Sequence, residues 1–126
     1  MKKIFFLLIP LFMSIGCGMQ SASGTVATLS VDEFAQIIVQ KGVTLVDVRT
    51  PKEFAEGHIA GALNIDVKAN DFRERVKSIH GKVAVYCLGG VRSMSAAKVL
   101  SAQGCSVYNL DGGIKAWQKA GRPTVT

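Results

Sequence analysis

The sequence predicts an α/β fold: a mainly parallel sheet with helices on both faces. From Val26 onward, short β-branched runs alternate with helix-like segments, and no internal repeat is visible. Strands that alternate with helices run parallel, because each helix carries the chain back to the edge where the previous strand began. The 126 residues leave room for one ordinary domain, and an apolar content of 48% is enough to form its core.

Two helix starts and two strands are predicted in the first half of this domain. Ser-Val-Asp-Glu at 30–33 has capping-box spacing, with an apolar helical stripe behind it. The run at 43–46 predicts a buried strand that ends at Asp47. Thr-Pro-Lys-Glu at 50–53 is a second capping box with proline at the first helical position, and 62–65 predicts a further short strand.

The second half continues the alternation. Its predicted elements are a charged amphipathic helix (71–79), a strand (83–86), a helix of small residues (93–103), a strand (106–110) and the start of a last helix (114–117). Within the 93–103 helix, Ala96, Ala97 and Leu100 recur at helical spacing and are expected to face the sheet.

The amino terminus has the pattern of an export signal. Lys2 and Lys3 precede an apolar stretch that ends at Ile15, short of the roughly 20 residues that a spanning helix needs. The Gly-Cys pair that follows resembles the lipobox of bacterial lipoproteins, in which cleavage before the cysteine frees its thiol to carry diacylglycerol. The resemblance implies a signal peptide at 1–16, a lipidated Cys17 and an envelope or periplasmic location.

A Ser- and Gly-rich tether is expected over 17–27, ahead of the domain at 28–126. Ser14 stands where the lipobox usually has leucine. An ordinary secretory signal, cut after Ser23 or Ala27, is therefore the alternative.

The loop Cys-Leu-Gly-Gly-Val-Arg at 87–92 carries the clearest chemical signal. Cys87 follows a predicted strand, and ligands of parallel sheets bind beyond the carboxyl ends of the strands. The paired glycines allow a tight turn with inward-pointing N–H groups, and a helix start at Ser93 aims its positive end at the same place. With the charge of Arg92, these features predict a reactive thiolate of lowered pKa. The alternative is an inert packing cysteine.

Composition argues against several kinds of site. The net charge of +6 comes from scattered basic residues that are not interleaved with aromatics, so no nucleic acid partner is expected. Cys17, Cys87, Cys105, His58 and His80 show no zinc-type pairing, so no metal or cofactor is expected either. The mild positive charge favours small anionic substrates, and we expect a monomer.

Over nearly all of 28–126 the sequence resembles the rhodanese-like domains. The motifs that carry the resemblance are Leu-Val-Asp-Val-Arg (45–49), Glu-Phe (53–54), Gly-His-Ile-Ala-Gly-Ala (57–62), Tyr-Cys-Leu-Gly-Gly-Val-Arg-Ser (86–93), Leu-Asp-Gly-Gly-Ile (110–114) and Ala-Trp (116–117). The resemblance implies a five-stranded, mostly parallel sheet. It also implies a sulfurtransferase cysteine that takes sulfane sulfur as a persulfide from a donor such as thiosulfate or another persulfide and passes it to a thiophilic acceptor, such as a thiol.

Carried onto this chain, the resemblance places the persulfide on Cys87 and the anionic donor beside Arg92. The residues that would bind the substrate are Leu88, Gly89, Gly90, Val91, Arg92 and Ser93. Gly89 replaces a hydroxyl residue that is common in the family. Leu88 replaces the basic residue of some thiosulfate-using members, which weakens the attraction for a doubly charged donor.

The cysteine loop has three alternative functional interpretations. Tyrosine-type phosphatases place five residues between cysteine and arginine, whereas four separate Cys87 from Arg92, so phosphate hydrolysis is not expected. A sulfur-carrier or anion-binding module without turnover and a thiol-dependent reductase stay open. Cys105 is not expected to pair with Cys87, because the helix between them spans about 15 Å and a disulfide needs Cα atoms within about 7 Å.

Asp47 and Arg49 end a strand on the side of the sheet that carries the loop. We expect them to form a buried ion pair rather than to act in catalysis, since charges at such positions are usually paired. His58 lies in a turn and is not expected to serve as a general base. Trp117 is expected to be core.

Overall fold

A computed structural model describes residues 23–126, in which five strands alternate with five helices. The strands are β1 (Thr25–Leu29), β2 (Val43–Asp47), β3 (Leu63–Asn64), β4 (Lys82–Tyr86) and β5 (Ser106–Leu110). The helices are α1 (Val31–Ile37), α2 (Pro51–Glu56), α3 (Phe72–Arg75), α4 (Val91–Ala102) and α5 (Gly113–Lys119).

All five strands belong to one sheet in the order β1-β5-β4-β2-β3, and every pairing is parallel. The register places Asp47 opposite Tyr86 and Leu29 opposite Leu110, so the strands end at a common edge. Because β4 is the central strand, Cys87 leaves the sheet in the middle of that edge. The predicted fold class is confirmed.

Helices cover both faces of the sheet, and β4 divides its side chains between them. Val83, Val85 and Cys87 point to one face, whereas Ala84 and Tyr86 point to the other. The first face packs against small residues of α4, and the second packs against α1 and α5. The buried residues contributed by these helices are Ala96, Ala97 and Leu100 on the first face and Phe34, Ile114 and Trp117 on the second.

Both predicted capping boxes are present. Ser30 Oγ accepts a hydrogen bond from the Glu33 N–H (3.2 Å), and the Glu33 carboxylate accepts one from the Ser30 N–H (2.9 Å). Thr50 and Glu53 make the same reciprocal pair at 3.2 and 3.1 Å. Each box satisfies two N–H groups that a helix start leaves unpaired, and Pro51 follows as the first residue of α2.

The domain begins earlier than the sequence predicts. Thr25, Val26 and Ala27 fall within the predicted tether at 17–27, yet they lie in β1 and pair with β5. This edge strand is mostly exposed and is held by backbone hydrogen bonds, so no buried apolar pattern marks it. The predicted signal at 1–16 and Cys17 lie outside the described residues. No helix within 23–126 is long and apolar enough to cross a membrane.

The helix predicted over 71–79 is shorter than expected. α3 ends at Arg75, and the chain continues to Ile79 in tight turns closed by bonds such as Ile79 N–H to Val76 O (3.0 Å). Phe72, Val76 and Ile79 are nevertheless all buried. The apolar spacing therefore correctly predicts which side chains face inward. It does not distinguish a regular helix from tight turns, because both present these side chains to the core.

Candidate active site

Cys87 lies directly beyond β4 with only 1% of its surface exposed. Its Sγ accepts a hydrogen bond from the Gly90 N–H at 3.0 Å and lies 3.3 Å from Ser93 Oγ. When the sulfur is a thiolate, the Ser93 hydroxyl is the donor of this second bond. The loop thus folds back over the sulfur and presents donors to it.

The pKa of Cys87 is lowered by these contacts. Burial is the largest single influence and raises the pKa of the thiol. Hydrogen bonds from the Ser93 hydroxyl and from the N–H groups of Ser93, Gly90 and Gly89 lower it, and together they outweigh burial. The predicted thiolate of lowered pKa is therefore supported by hydrogen bonding from the loop and the first turn of α4.

Gly90 gives the loop its shape. It lies just before α4 with φ of +106°, a left-handed conformation that disfavours residues with a Cβ. α4 begins at Val91, two residues before the predicted start at Ser93, which is a correction. The hydroxyl of Ser93 consequently extends inward from the first turn of the helix, where it meets the sulfur.

The start of α5 holds the 87–92 loop in place through backbone hydrogen bonds. The Ile114 N–H donates to the carbonyl of Cys87 (2.9 Å), and the Lys115 N–H donates to that of Leu88 (3.2 Å). In a trans peptide the N–H points opposite to the carbonyl. Holding these two carbonyls against α5 therefore turns the N–H groups of Leu88 and Gly89 toward the opposite side. The sequence predicts only the start of a last helix at 114–117, so this supporting role was missed.

Arg92 is paired with a carboxylate that sequence reasoning assigned only to a helix cap. Arg92 Nη1 and Nη2 donate to Glu53 Oε1 and Oε2 at 2.8 and 2.9 Å, a bidentate ion pair between side chains that are 22% and 27% exposed. The bonds from Arg92 are the main cause that lowers the pKa of Glu53 to about 2. The sequence did not indicate this partner of Arg92, because the two residues are 39 positions apart.

The exposed side chains of the loop are apolar. Leu88 is 40% exposed and Val91 is 81% exposed, while Gly89 lies between them without a side chain. Both lie in the segment that follows Cys87, so residues 88–91 expose apolar side chains and no cation.

Asp47 and Arg49 form the predicted buried ion pair. Arg49 Nη2 contacts Asp47 Oδ2 at 2.6 Å and also donates to the carbonyl of Gly57 at 2.7 Å. His58 stacks on Phe54 with ring centroids 3.7 Å apart, and its Nδ1 lies 2.9 Å from the Phe54 carbonyl. None of these groups contacts Cys87, which agrees with the structural roles predicted for Asp47, Arg49 and His58.

Cys105 is buried at the start of β5, where its Sγ lies 3.4 Å from the carbonyl of Ile79. Burial raises the pKa of this thiol, the reverse of the shift at Cys87. Both cysteines are free, as expected. Within 23–126, no cluster of three or more His, Cys, Asp or Glu side chains is arranged to hold a metal.

A separate cavity of about 300 Å³ opens beside α4. Its walls are Val67, Ala69, Asn70, Phe72, Arg73, Ser95 and Val99. No residue of the 87–93 loop lines it, so it is distinct from the place where a group on Cys87 would sit. The loop itself offers a nucleophilic sulfur and a set of N–H donors suited to a small anion.

Comparison with known proteins identifies similar sequences and folds. The model of the rhodanese-like domain family matches residues 30–120. Thiosulfate sulfurtransferase GlpE of Pseudomonas fluorescens is 42% identical over 88 residues, which cover 68% of this chain and 80% of that protein. YqhL of Bacillus subtilis is 45% identical over 74 residues, but the match spans only 59% of its length. A rhodanese-related protein from Thermoplasma volcanium has a TM-score of 0.67 and 32% identity, covering 79% of this chain and 97% of that one.

Proposed function

The chain belongs to the rhodanese-like domain family, and on that premise we propose that it is a sulfurtransferase which carries sulfane sulfur as a persulfide on Cys87. The observation that carries this proposal is the pair of contacts to Cys87 Sγ, from the Gly90 N–H at 3.0 Å and the Ser93 hydroxyl at 3.3 Å. They favour the thiolate, which is the nucleophilic form of cysteine. A buried cysteine that serves only for packing does not require such donors.

The first half-reaction loads the sulfur. The Cys87 thiolate attacks the sulfane sulfur of the donor, so the Sγ–S bond forms while the donor S–S bond breaks. With thiosulfate the leaving group is sulfite, which departs with the electron pair of the broken bond. The terminal sulfur of the new persulfide carries the negative charge. The loop N–H groups, held inward by α5, are suited to bind it.

The second half-reaction returns the enzyme to its starting state. A nucleophilic acceptor, a thiolate or cyanide, attacks the terminal sulfur, and the electron pair of the Sγ–S bond returns to Cys87. In each step the attacking group reacts in its anionic form and the leaving group departs as an anion, so neither step requires a general base. This agrees with the contacts of His58, whose ring stacks on Phe54 and whose Nδ1 lies 2.9 Å from the Phe54 carbonyl.

Intact-mass spectrometry after treatment with thiosulfate or polysulfide tests the proposal. The wild-type protein is expected to gain one sulfur atom, and Cys87→Ala is expected to gain none. Cys105→Ala is the matched control, because Cys105 is a second buried free thiol that lacks these donors. Loading of Cys87→Ala equal to that of the wild type refutes the assignment. Loading without turnover by any acceptor indicates a sulfur carrier instead of an enzyme.

We also propose that residues 1–16 direct export and that Cys17 carries the lipid that anchors the domain in the cell envelope. The support is the sequence pattern alone: a basic start, a short apolar stretch and a Gly-Cys pair. Fractionation of cells that express the full chain tests this. The wild type is expected in the membrane fraction, and Cys17→Ala is expected to leave it. Equal partitioning of both proteins contradicts a lipid on Cys17.

A further inference from the structure

The Arg92 guanidinium, the group expected to bind an anionic donor, already holds a carboxylate. Its two nitrogens meet both oxygens of Glu53 at 2.8 and 2.9 Å. This forked geometry is the one that arginine uses for any planar or tetrahedral oxyanion, the oxygens of thiosulfate included. While both guanidinium nitrogens bind Glu53, they are not available to thiosulfate. The two side chains together also contribute no net charge to the site.

The remainder of the loop does not replace that charge. Residues 88–91 are Leu-Gly-Gly-Val, and their exposed side chains are apolar. The attacking group is itself an anion, so a doubly charged donor is repelled twice as strongly as a singly charged one. A neutral hydropersulfide is not repelled at all. The repulsion between the Cys87 thiolate and the donor therefore depends on the charge of the donor.

We propose that Glu53 is a specificity-determining residue that neutralises Arg92 and directs the Cys87 site toward neutral or singly charged organic persulfides, away from thiosulfate. This inference rests on the sulfurtransferase function proposed above and names its donor class. In the loading step the thiolate attacks the outer sulfur of R–S–SH. The Sγ–S bond forms, the S–S bond of the donor breaks, and the proton of the donor passes to the departing R–S⁻ to give R–SH. Sulfur moves between two thiols, so no external oxidant or reductant is required.

Glu53→Gln isolates the charge of this residue from its structural role. Glu53 also closes the capping box of α2 through Thr50, and glutamine serves at that position of a capping box as well as glutamate does. Asp32→Asn is the matched control. It removes one negative charge from the exposed ion pair that Asp32 forms with Arg122 at 3.1 Å. The net charge of the protein therefore changes by the same amount as in Glu53→Gln, while the charge at the Cys87 site is unchanged.

The measurement is kcat/KM for loading by thiosulfate and by cysteine persulfide, whose carboxylate and ammonium charges cancel. It is made at low ionic strength, and the rate of sulfur gain is followed by intact mass. Glu53→Gln is expected to raise kcat/KM for thiosulfate about tenfold, mainly through a lower KM, and to change the persulfide value less than about twofold. The gain is expected to shrink as salt is added, because the freed Arg92 charge is screened. Asp32→Asn is expected to leave the ratio of the two donors unchanged.

Leu88→Lys is a second variant in case Glu53→Gln does not fold. It adds a cation at an exposed position of the loop and leaves the Glu53–Arg92 pair in place, and it is expected to shift donor preference in the same direction. The inference is overturned if the donor ratio stays at its wild-type value in the folded variants, or if Asp32→Asn shifts it equally. Failure of the proposed function looks different: neither donor then loads Cys87 in the wild type.

Discussion

A Cβ placed on Gly113 would lie 2.6 Å from the carbonyl oxygen of Cys87. Gly113 has φ of +62° and begins α5, whose next two N–H groups bind the carbonyls of Cys87 and Leu88. The missing side chain is what lets the helix start approach the loop this closely. Gly113 therefore acts at the sulfur site without contacting the sulfur.

Gly113→Ala is expected to lower the free energy of unfolding by about 3 kcal/mol, since it adds a steric clash to a strained backbone conformation. The rate of sulfur loading is expected to fall as well, because the loop must move to admit the methyl group. Gly81→Ala is the control: Gly81 has φ of +79°, but a Cβ there meets no atom within 4 Å. Its cost is expected to be about 1 kcal/mol, with loading unchanged. Urea unfolding and intact mass measure both effects, and equal costs for the two variants contradict the steric argument.

The pH dependence of alkylation reports the Cys87 thiolate. Because the pKa of Cys87 is lowered in the folded protein, its rate with iodoacetamide is expected to reach a plateau at lower pH than that of an ordinary thiol. Ser93→Ala removes one donor, so the profile is expected to move to higher pH and the rate at pH 7 to fall about tenfold. Thiolate stabilisation also contributes to folding above the pKa of the unfolded thiol, and this contribution is lost as pH falls through the folded pKa. A Ser93→Ala profile that matches the wild type removes Ser93 as a donor.

Arg49→Leu is expected to lower the free energy of unfolding by about 3–5 kcal/mol, because it leaves the buried Asp47 carboxylate without its partner. Asp47→Asn combined with Arg49→Leu is expected to recover part of the loss, since no uncompensated charge then remains. Arg122→Leu breaks the exposed pair with Asp32 and is expected to cost less than about 1 kcal/mol. Chemical denaturation of the single and double variants gives the coupling energy, and strictly additive losses argue against a buried pair.

The Glu53–Arg92 pair predicts a specific response to acid. The folded pKa of Glu53, about 2, lies below its usual value of 4.5, so the pair stabilises the protein above pH 4.5 and this stabilisation is lost as pH falls toward 2. Discounted for partial exposure, it amounts to about 2 kcal/mol. Wild type and Glu53→Gln are expected to differ by this amount at pH 6 and to converge near pH 2. A difference that stays constant with pH contradicts the lowered pKa of Glu53.

Features encoded by neighbouring residues were predicted correctly from the sequence. The two capping boxes and the Asp47–Arg49 pair each join residues two or three positions apart, and their chemistry is readable in the local pattern. The alternation of strands and helices likewise fixed the parallel sheet and placed Cys87 at its carboxyl edge.

The parts that the sequence did not reveal depend on residues far apart in the chain. Glu53 and Arg92 are separated by 39 positions, and each has a sufficient local explanation, as a helix cap and as a loop cation. The support of Cys87 by α5 joins residues 27 positions apart through backbone groups that no side chain marks. β1 was not predicted, because an exposed edge strand needs no apolar pattern.

A sheet whose strands all run one way has a polarity. The described chain enters it at Thr25, opposite Ser106 at the starting edge, and Cys87 leaves at the other edge. Five residues at about 3.3 Å each place these two edges about 17 Å apart. On the proposal that Cys17 carries a lipid, the chain that leads from the anchor joins the sheet at the starting edge, and the sulfur site opens at the opposite edge.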